Sequence, residues 1–493
     1  MTAIDHGTPP TAAPPAPSGI EANGLNVIAE SERGGRARSL FWPWFAANVS
    51  VLGLGYGAFI LAFGVSFWQA LIVGAVGIVL SFTLCGLVAI AGKRGSAPTM
   101  ALSRAAFGVL GNRVPAVISW LLTVGWETVL AALAVLATST VLGELGVPNG
   151  TPTKIVALIV VAALIIAAGV FGFHVVMRLQ LVITIVTGVL TVVYVALTLP
   201  HVDLGAVAAL PAGGTPAVIG AFVFMLTGFG LGWVNAAADY SRYLPRTSKA
   251  GPVVWWTTFG AAIAPVVLLL FGLLLAGSSK KLDEAVYNDP IGALSTILPT
   301  WFLVPFLVVA LLGLIGGAAL DIYSSGLSLL SAGLRIPRYA AAGVDGVIMI
   351  AGAAYVVFFA GSFIFPFQGF LITLGVPIAA WAGIFLADLL LRRRDYADAE
   401  LGDPAGRYGR VRTGAVVLLV VATLLGWGLV TNTYADWLGW QGYLLGPIGG
   451  RKGEWAGANI GVLVALVVGF VGTLLLTRGA VRRQESLPLT ESR

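Results

Sequence analysis

Charge is scarce in this chain. Of its 493 residues only 10% are Asp, Glu, Lys or Arg, against roughly 25% in an average soluble domain. That is too little to cover a water-exposed surface. Cysteine is nearly absent as well: Cys85 stands alone, which excludes a disulfide framework and any multi-cysteine metal site. The three histidines, His6, His174 and His201, lie outside the apolar runs, which argues against haem or metal ligation within a membrane. There is no phosphate-binding glycine loop, no GxSxG elbow and no HExxH helix, so nothing supports a conventional enzyme. What the chain has in excess is apolar sequence. Hydrophobic residues make up 58% and the mean hydropathy is +0.93. They are gathered into runs of about twenty residues, the length that crosses a bilayer as a helix. The chain reads as an all-α polytopic membrane protein whose first partner is the lipid bilayer.

The apolar runs predict twelve transmembrane helices, near 40–64, 66–91, 114–142, 154–173, 179–199, 217–237, 252–276, 300–333, 341–360, 364–388, 414–431 and 457–477. With the N-terminus inside, the outer loops keep only Lys154, Lys280, Lys281, Arg451 and Lys452 of the 28 basic residues. The rest fall on the inner side, as cytoplasmic loops require. A missed or extra helix would invert every later loop, so the alternation supports twelve spans with both termini cytoplasmic, in the cytoplasmic membrane. The net charge of +6 therefore reports topology rather than a nucleic-acid partner. Residues 1–39 open Pro/Ala-rich, without the basic start or apolar core of a signal peptide, and read as a disordered cytoplasmic tail. The expected organisation continues with a five-helix block over 40–199 and a second over 217–388. A loop and helices 11 and 12 occupy 389–477, and 478–493 form a cytoplasmic C-terminal tail.

The first helix contains Gly53-Leu54-Gly55-Tyr56-Gly57 and the sixth contains Gly228-Phe229-Gly230-Leu231-Gly232-Trp233. Both carry Gly-Leu-Gly followed by an aromatic, each in the first helix of a five-helix block. Because five is odd, the second block enters the membrane from the opposite side, which makes a 5+5 inverted repeat followed by two C-terminal helices. Each interior glycine costs about 1 kcal/mol relative to alanine, so such clusters favour local unwinding. Paired glycine-interrupted helices mark a transporter's binding site. The plainer alternative is that the glycines only allow close helix packing.

Two carboxylates lie inside spans: Glu127 midway along the third helix and Asp321 in the eighth, equivalent positions in a 5+5 repeat. A carboxylate in a span faces the bundle interior or water, and suggests a cation or proton site together with a polar substrate contact. The bland alternative is a hydrogen bond to a neighbouring hydroxyl. Asp239 and Arg242, three residues apart, are expected to pair at the cytoplasmic end of the sixth helix. Trp126, Phe229, Trp233 and Tyr56 are mid-span aromatics beside glycines, flat walls that suit a planar heterocycle by offset stacking.

At these residues the chain resembles the nucleobase–cation symporter-1 family, particularly its purine/cytosine permease branch. The likeness runs over roughly 20–480. It is carried by Gly19-Ile20-Glu21, Pro43–Asn48, Ser66-Phe67-Trp68-Gln69, Ser103-Arg104-Ala105-Ala106-Phe107-Gly108 with Gly111-Asn112, Val124-Gly125-Trp126, and Asp239-Tyr240-Ser241-Arg242-Tyr243. The resemblance implies a leucine-transporter-type fold and cation-coupled uptake of a small heterocycle by alternating access. It also implies that Trp126 and Phe229 sandwich the ring. Where the family often has Gln or Asn one turn after the tryptophan, this chain has Leu130, so Thr123 or Glu127 takes over that contact. Sodium-using members bind the ion between the unwound first helix and hydroxyls of the eighth. The matching region here, Asp321 with Ser324 and Ser325, adds a carboxylate, which leaves sodium and proton both open.

The reading is therefore a symporter for a purine or pyrimidine base (cytosine, adenine, guanine or hypoxanthine), with no cofactor beyond the coupling ion and no obligate protein partner. Trp126 and Phe229 stack the base, beside Tyr56 and Trp233. Gly53, Gly55, Gly230 and Gly232 expose backbone groups to it, and Glu127, Thr123 and Asn48 read its edges. Asp321, Ser324 and Ser325 couple the ion. The alternatives on the same fold are allantoin or hydantoin, a vitamin such as thiamine or pyridoxine, or an amino acid. Outside it they are a channel or a membrane enzyme.

Overall fold

The computed structural model describes residues 21, 23–171, 173–287, 289–361, 364–432 and 436–487. Among them no strand forms. Nine helices are long and apolar enough to cross a membrane, and two further pairs qualify when each bent pair is taken as one span. We label the spans α1a (Phe41–Asn48) with α1b (Leu52–Leu61), α2 (Phe67–Gly95), α3 (Arg113–Glu144), α4 (Thr151–Phe171) and α5 (Val176–His201). They continue as α6 (Thr215–Ser241), α7 (Ala250–Ser278), α8 (Thr300–Ser331), α9 (Arg338–Phe358) and α10 (Pro366–Leu391). The shorter apolar helix α11 (Thr413–Gly428), then α12 (Gly461–Leu476) and α13 (Arg478–Ser486), complete the chain. Every predicted span is occupied. Val182, Ile185, Val189 and Val192 of α5 are exposed at helical spacing, a stripe that suits lipid. The protein is a multi-pass membrane protein.

The repeat shows in the packing. Helices α2, α3 and α4 lie against α7, α8 and α9, their counterparts five spans later, while α1a and α1b both lean on α7. Helix α10 packs on α12. Local chemistry sets the ends. Ser66 and Gln69 form a capping box at the start of α2, and the same Gln69 side chain bonds Gly213 in both directions, at 2.9 and 2.8 Å. Gly108, at φ +81°, closes the Arg-Ala-Ala-Phe-Gly turn where a Cβ would meet Arg410 O at 2.9 Å.

The first span bends by 65°, but not at its glycines. The break falls at Val49–Val51, because Asn48 Nδ2 turns back to donate to Trp44 O (2.8 Å) and Ser50 Oγ accepts from Leu52 N (3.3 Å). Short polar side chains here compete with the helical ladder. Gly53, Gly55 and Gly57 are helical, so the expected unwinding is corrected at them: they serve close packing. A Cβ on Gly57 would lie 2.2 Å from the Gly272 backbone of α7. In α6 the break does coincide with the glycine cluster, at Phe229 (φ −115°, ψ −113°). Its freed backbone groups are taken up by side chains: Gly228 O accepts from Tyr56, Gly230 N donates to Ser81 Oγ and Gly230 O accepts from Cys85 Sγ.

Three further expectations change. Residues 1–20 and 22 lie outside the described residues, but 23–39, though largely exposed, are tied to the bundle at Ile28 rather than free along their length. Ile28 is fully buried, and its N–H and C=O are held by Ser96 O and Arg33. Glu21 is the reason: it accepts from Arg242 (3.1 Å), Tyr243 (2.5 Å) and Tyr323 (3.2 Å), and Arg338 lies 3.8 Å away. The expected Asp239–Arg242 pair gives way to this. Asp239 accepts instead from the N–H and hydroxyl of Thr99, at 2.7 and 2.8 Å. Finally, the C-terminal tail begins as the docked helix α13, whose Gln484 accepts from Arg392 (2.9 Å), itself ion-paired with Asp388 (2.6 Å).

Candidate functional site

The two helix breaks meet at a cavity of about 50 Å³. Asn48, Ser50, Gly53 and Tyr56 contribute from the first span, Trp126 and Leu130 from α3, Phe229 and Trp233 from α6, and Gly313 and Asp321 from α8. This brings together seven residues singled out in the sequence, from four separate helices: Asn48, Gly53, Tyr56, Trp126, Phe229, Trp233 and Asp321. Its volume is far below the roughly 300 Å³ at which ligand pockets begin, so the walls are drawn in. Trp126 stands edge-on to Phe367 (5.6 Å) and Phe370 (6.1 Å), with its Nε1 buried and unbonded. Phe229 lies 4.4 Å from Tyr56, and Trp233 is edge-on to Trp44 at 6.0 Å. A larger hollow of about 180 Å³, lined by Phe63, Phe224, Thr227, Gln368 and Asn459, lies beyond. Tyr56 of the first cavity and Phe224 of the second have ring centroids 5.6 Å apart.

The other candidates face elsewhere. Gly55 packs toward Pro290 and Val286, and Gly230 sits against the backbone of Ser81 and Phe82. Gly232 lies beneath the indole, where a Cβ would come 2.8 Å from Trp126 Nε1. The Thr123 hydroxyl donates to its own helix, at Ser119 O (3.0 Å) and Trp120 O (3.1 Å). Ser324 Oγ pairs with Tyr240 OH (3.0 Å), and Ser325 Oγ donates to Asp345 (2.7 Å). Glu127 is fully buried with both carboxyl oxygens unbonded, and the same is true of Asp321.

Two features escaped sequence reasoning. Ser50, which caps the half-helix and lines the cavity, carried a signal in the Asn-Val-Ser triplet that ends α1a. The other is Asp345 of α9. The structure buries it completely, with Trp120 Nε1 and Ser325 Oγ both donating to it at 2.7 Å.

Two half-broken central helices around a part-polar cavity, inside an inverted repeat, define a membrane transporter. Residues 27–446 match the model of a family described as permeases for cytosine/purines, uracil, thiamine and allantoin. The chain belongs to that family, the nucleobase–cation symporter-1 family, and is a transporter rather than an enzyme. It is 24% identical over 483 residues to the putative purine-cytosine permease YxlA of Bacillus subtilis, covering 94% of this chain and 97% of the relative. The purine-cytosine permease FCY2 of Saccharomyces cerevisiae is 23% identical over 477 residues, with 89% and 84% covered. Among solved structures, the nucleobase-cation-symport-1 transporter Mhp1, closed with bromovinylhydantoin bound, superimposes with a TM-score of 0.69. The identity is 19%, and 96% of this chain and 98% of Mhp1 are covered.

Proposed function

We propose that this protein imports a purine or pyrimidine base by ion-coupled symport, with both termini in the cytoplasm. The observation that supports the reading is the convergence of Trp126, Phe229, Tyr56 and Trp233 with Asn48 and Asp321 at the junction of the two broken helices. The π faces hold a planar ring while the amide and the carboxyl read its edges. The names of the relatives, both purine-cytosine permeases, favour a nucleobase over a vitamin. Loading the ring requires the drawn-in walls of the 50 Å³ cavity to part.

The test is thermal unfolding of the solubilised protein against cytosine, adenine, guanine, hypoxanthine, allantoin, a hydantoin and thiamine, with and without sodium. A ligand at a hundred times its Kd stabilises by about 2.7 kcal/mol. A nucleobase should raise the Tm. A rise with allantoin, the hydantoin or thiamine alone would overturn the substrate, and would point to Leu130 in the wall as the reason.

A further inference from the structure

Helices α2 and α12 both pack on α10, and between them runs an apolar groove of about 620 Å³. Leu386 and Leu389 of α10, 8% and 7% exposed, form its floor. Leu84, Leu87 and Ile90 of α2 line one side, and Val467, Phe470 and Val471 of α12 the other. Leu87, Val467 and Val471 are exposed, so the groove opens on the outside of the bundle. It ends at Arg94, whose guanidinium pairs with Asp395 (3.2 Å) and donates to Arg392 O (3.2 Å) and Arg394 O. From Leu84 to Arg94 the helix rises about 15 Å, the depth of one leaflet in a bilayer whose hydrocarbon core is about 30 Å thick.

A basic pocket of about 280 Å³ adjoins that end, and Leu390 borders both. The chain bends by 56° between α12 and α13, which brings α13 against the end of α10. Val481 of α13 is buried and Gln484 accepts from Arg392, so this side of α13 is fixed on the bundle. Arg478 and Arg482, one turn apart, line the pocket from the adjoining face, and Arg393 joins them from just after α10. Among the described residues no hydrogen bond or ion pair takes up any of these three guanidiniums. Glu485 is the one acid in the lining, and it already accepts from Arg393 N (2.7 Å) and Arg394 N (2.8 Å). Three guanidiniums against one carboxylate leave excess positive charge, and like charges one turn apart on a helix repel. A phosphodiester relieves both, because its oxygens match the guanidinium fork.

We propose that α2, α10, α12 and α13 form a binding site for one anionic phospholipid of the leaflet on the basic-loop side. Its phosphate sits among Arg393, Arg478 and Arg482, and an acyl chain lies along the groove floored by Leu386 and Leu389. Exposed arginines alone would be a solvated surface. What points to lipid is their place at the end of an apolar groove one leaflet deep, the arrangement by which basic pockets between membrane helices hold anionic headgroups. The exposed stripe of α5 (Val182, Ile185, Val189 and Val192), near the single exposed Arg178, is the ordinary lipid contact by comparison. A zwitterionic headgroup brings a cation of its own into a pocket that is already positive, so the site selects a net negative lipid. The inference is independent of which solute the protein carries.

The experiment is photolabelling of the full chain in phosphatidylcholine liposomes, with peptide mapping of the adducts. The probe is a trace of phosphatidylglycerol or of phosphatidylcholine with a photoactivatable group on one acyl chain. Phosphatidylglycerol should label 84–94, 386–391 and 466–471 well above the α5 stripe, phosphatidylcholine should not, and unlabelled phosphatidylglycerol should remove the excess. Equal labelling by the two lipids, or adducts spread evenly over α5 and the groove, overturns the site. Each guanidinium near an anionic group contributes about fivefold, so Arg478→Gln with Arg482→Gln should raise the competing phosphatidylglycerol needed about 25-fold. A rise below about threefold overturns the headgroup pocket. Val467→Trp fills the groove from an exposed position and should abolish the excess labelling, and unchanged adducts overturn the acyl slot. Labelling of α5 reports that each variant is inserted and folded. Competition by soluble glycerophosphoglycerol as strong as that by phosphatidylglycerol marks a free-phosphate site and overturns the lipid.

Discussion

Glu21→Ala tests whether the N-terminal segment is a latch across the end of the bundle that carries the basic loops. Glu21 places one carboxylate against two guanidiniums whose side chains are 0% and 2% exposed. It also accepts from two phenols. Burial pushes the Tyr243 phenol up to about 12, so this donor persists throughout the working range of pH. Removing one partner of a buried pair costs roughly 3–5 kcal/mol, because the charge left behind keeps its desolvation cost. Here part of that is recovered: Arg242 keeps Gly24 O (2.8 Å) and Tyr323 OH (2.7 Å), which places the loss at the lower end, about 3 kcal/mol. At 1.4 kcal/mol per decade that is about a hundredfold in the local opening equilibrium. The readout is hydrogen exchange at the amides of Ile28 and Gly34, which donate to Ser96 O (2.8 Å) and Tyr243 O (3.0 Å) across this seam. They should exchange about a hundredfold faster in the variant, while amides in the middle of α3 keep their protection. Exchange at Ile28 and Gly34 within about threefold of the parent would refute the latch.

Other perturbations read different parts of the molecule. Trp126→Ala should weaken binding of the transported base by about tenfold to a hundredfold, the ~1–3 kcal/mol of one stacking wall, and equilibrium binding with unchanged Kd would remove Trp126 from the site. Gly57→Ala forces a Cβ to within 2.2 Å of the α7 backbone and should destabilise by about 1–3 kcal/mol in thermal unfolding, whereas Gly188→Ala, with nothing within 4 Å, should be neutral or slightly stabilising. Asp283, outside the spans, has its carboxyl pushed up to about 6 by burial and then by neighbouring Glu284. The folded protein thus binds this proton more tightly than the unfolded chain does, so its stabilisation is full below the ordinary carboxylate range and is lost as pH rises through 6. Asp283→Asn should flatten that part of the stability profile, and an unchanged slope between pH 4 and 7 would refute the assignment.

Much of this protein was legible in order along the chain. The number and placement of spans follow from hydropathy and length, because a helix in lipid must satisfy its own backbone within about twenty residues. The inverted repeat was visible in Gly-Leu-Gly pairs even though the glycines of α1b turned out to pack rather than unwind. Asn48 and Ser50, not those glycines, break the first span, since short polar side chains capture backbone groups that glycine only leaves free. The aromatic lining of the cavity was likewise readable from Trp126, Tyr56, Phe229 and Trp233.

The polar partnerships were not. Asp239 and Arg242 sit at a spacing that suits an ion pair, yet each finds a better partner far along the chain, in Thr99 and Glu21. Nothing local says that Ser325 turns to Asp345 or that the carboxyl oxygens of Glu127 are buried without a hydrogen bond. Sequence determined the membrane-spanning helices, their repeat and the residue types that enter the cavity, because these depend on periodicity and solvent preference. Tertiary structure alone decided which buried acid is paired, which is orphaned and which guanidinium holds the N-terminal segment. A hydrogen bond or ion pair in a dry interior is set by which groups the packing of distant helices brings within about 3 Å.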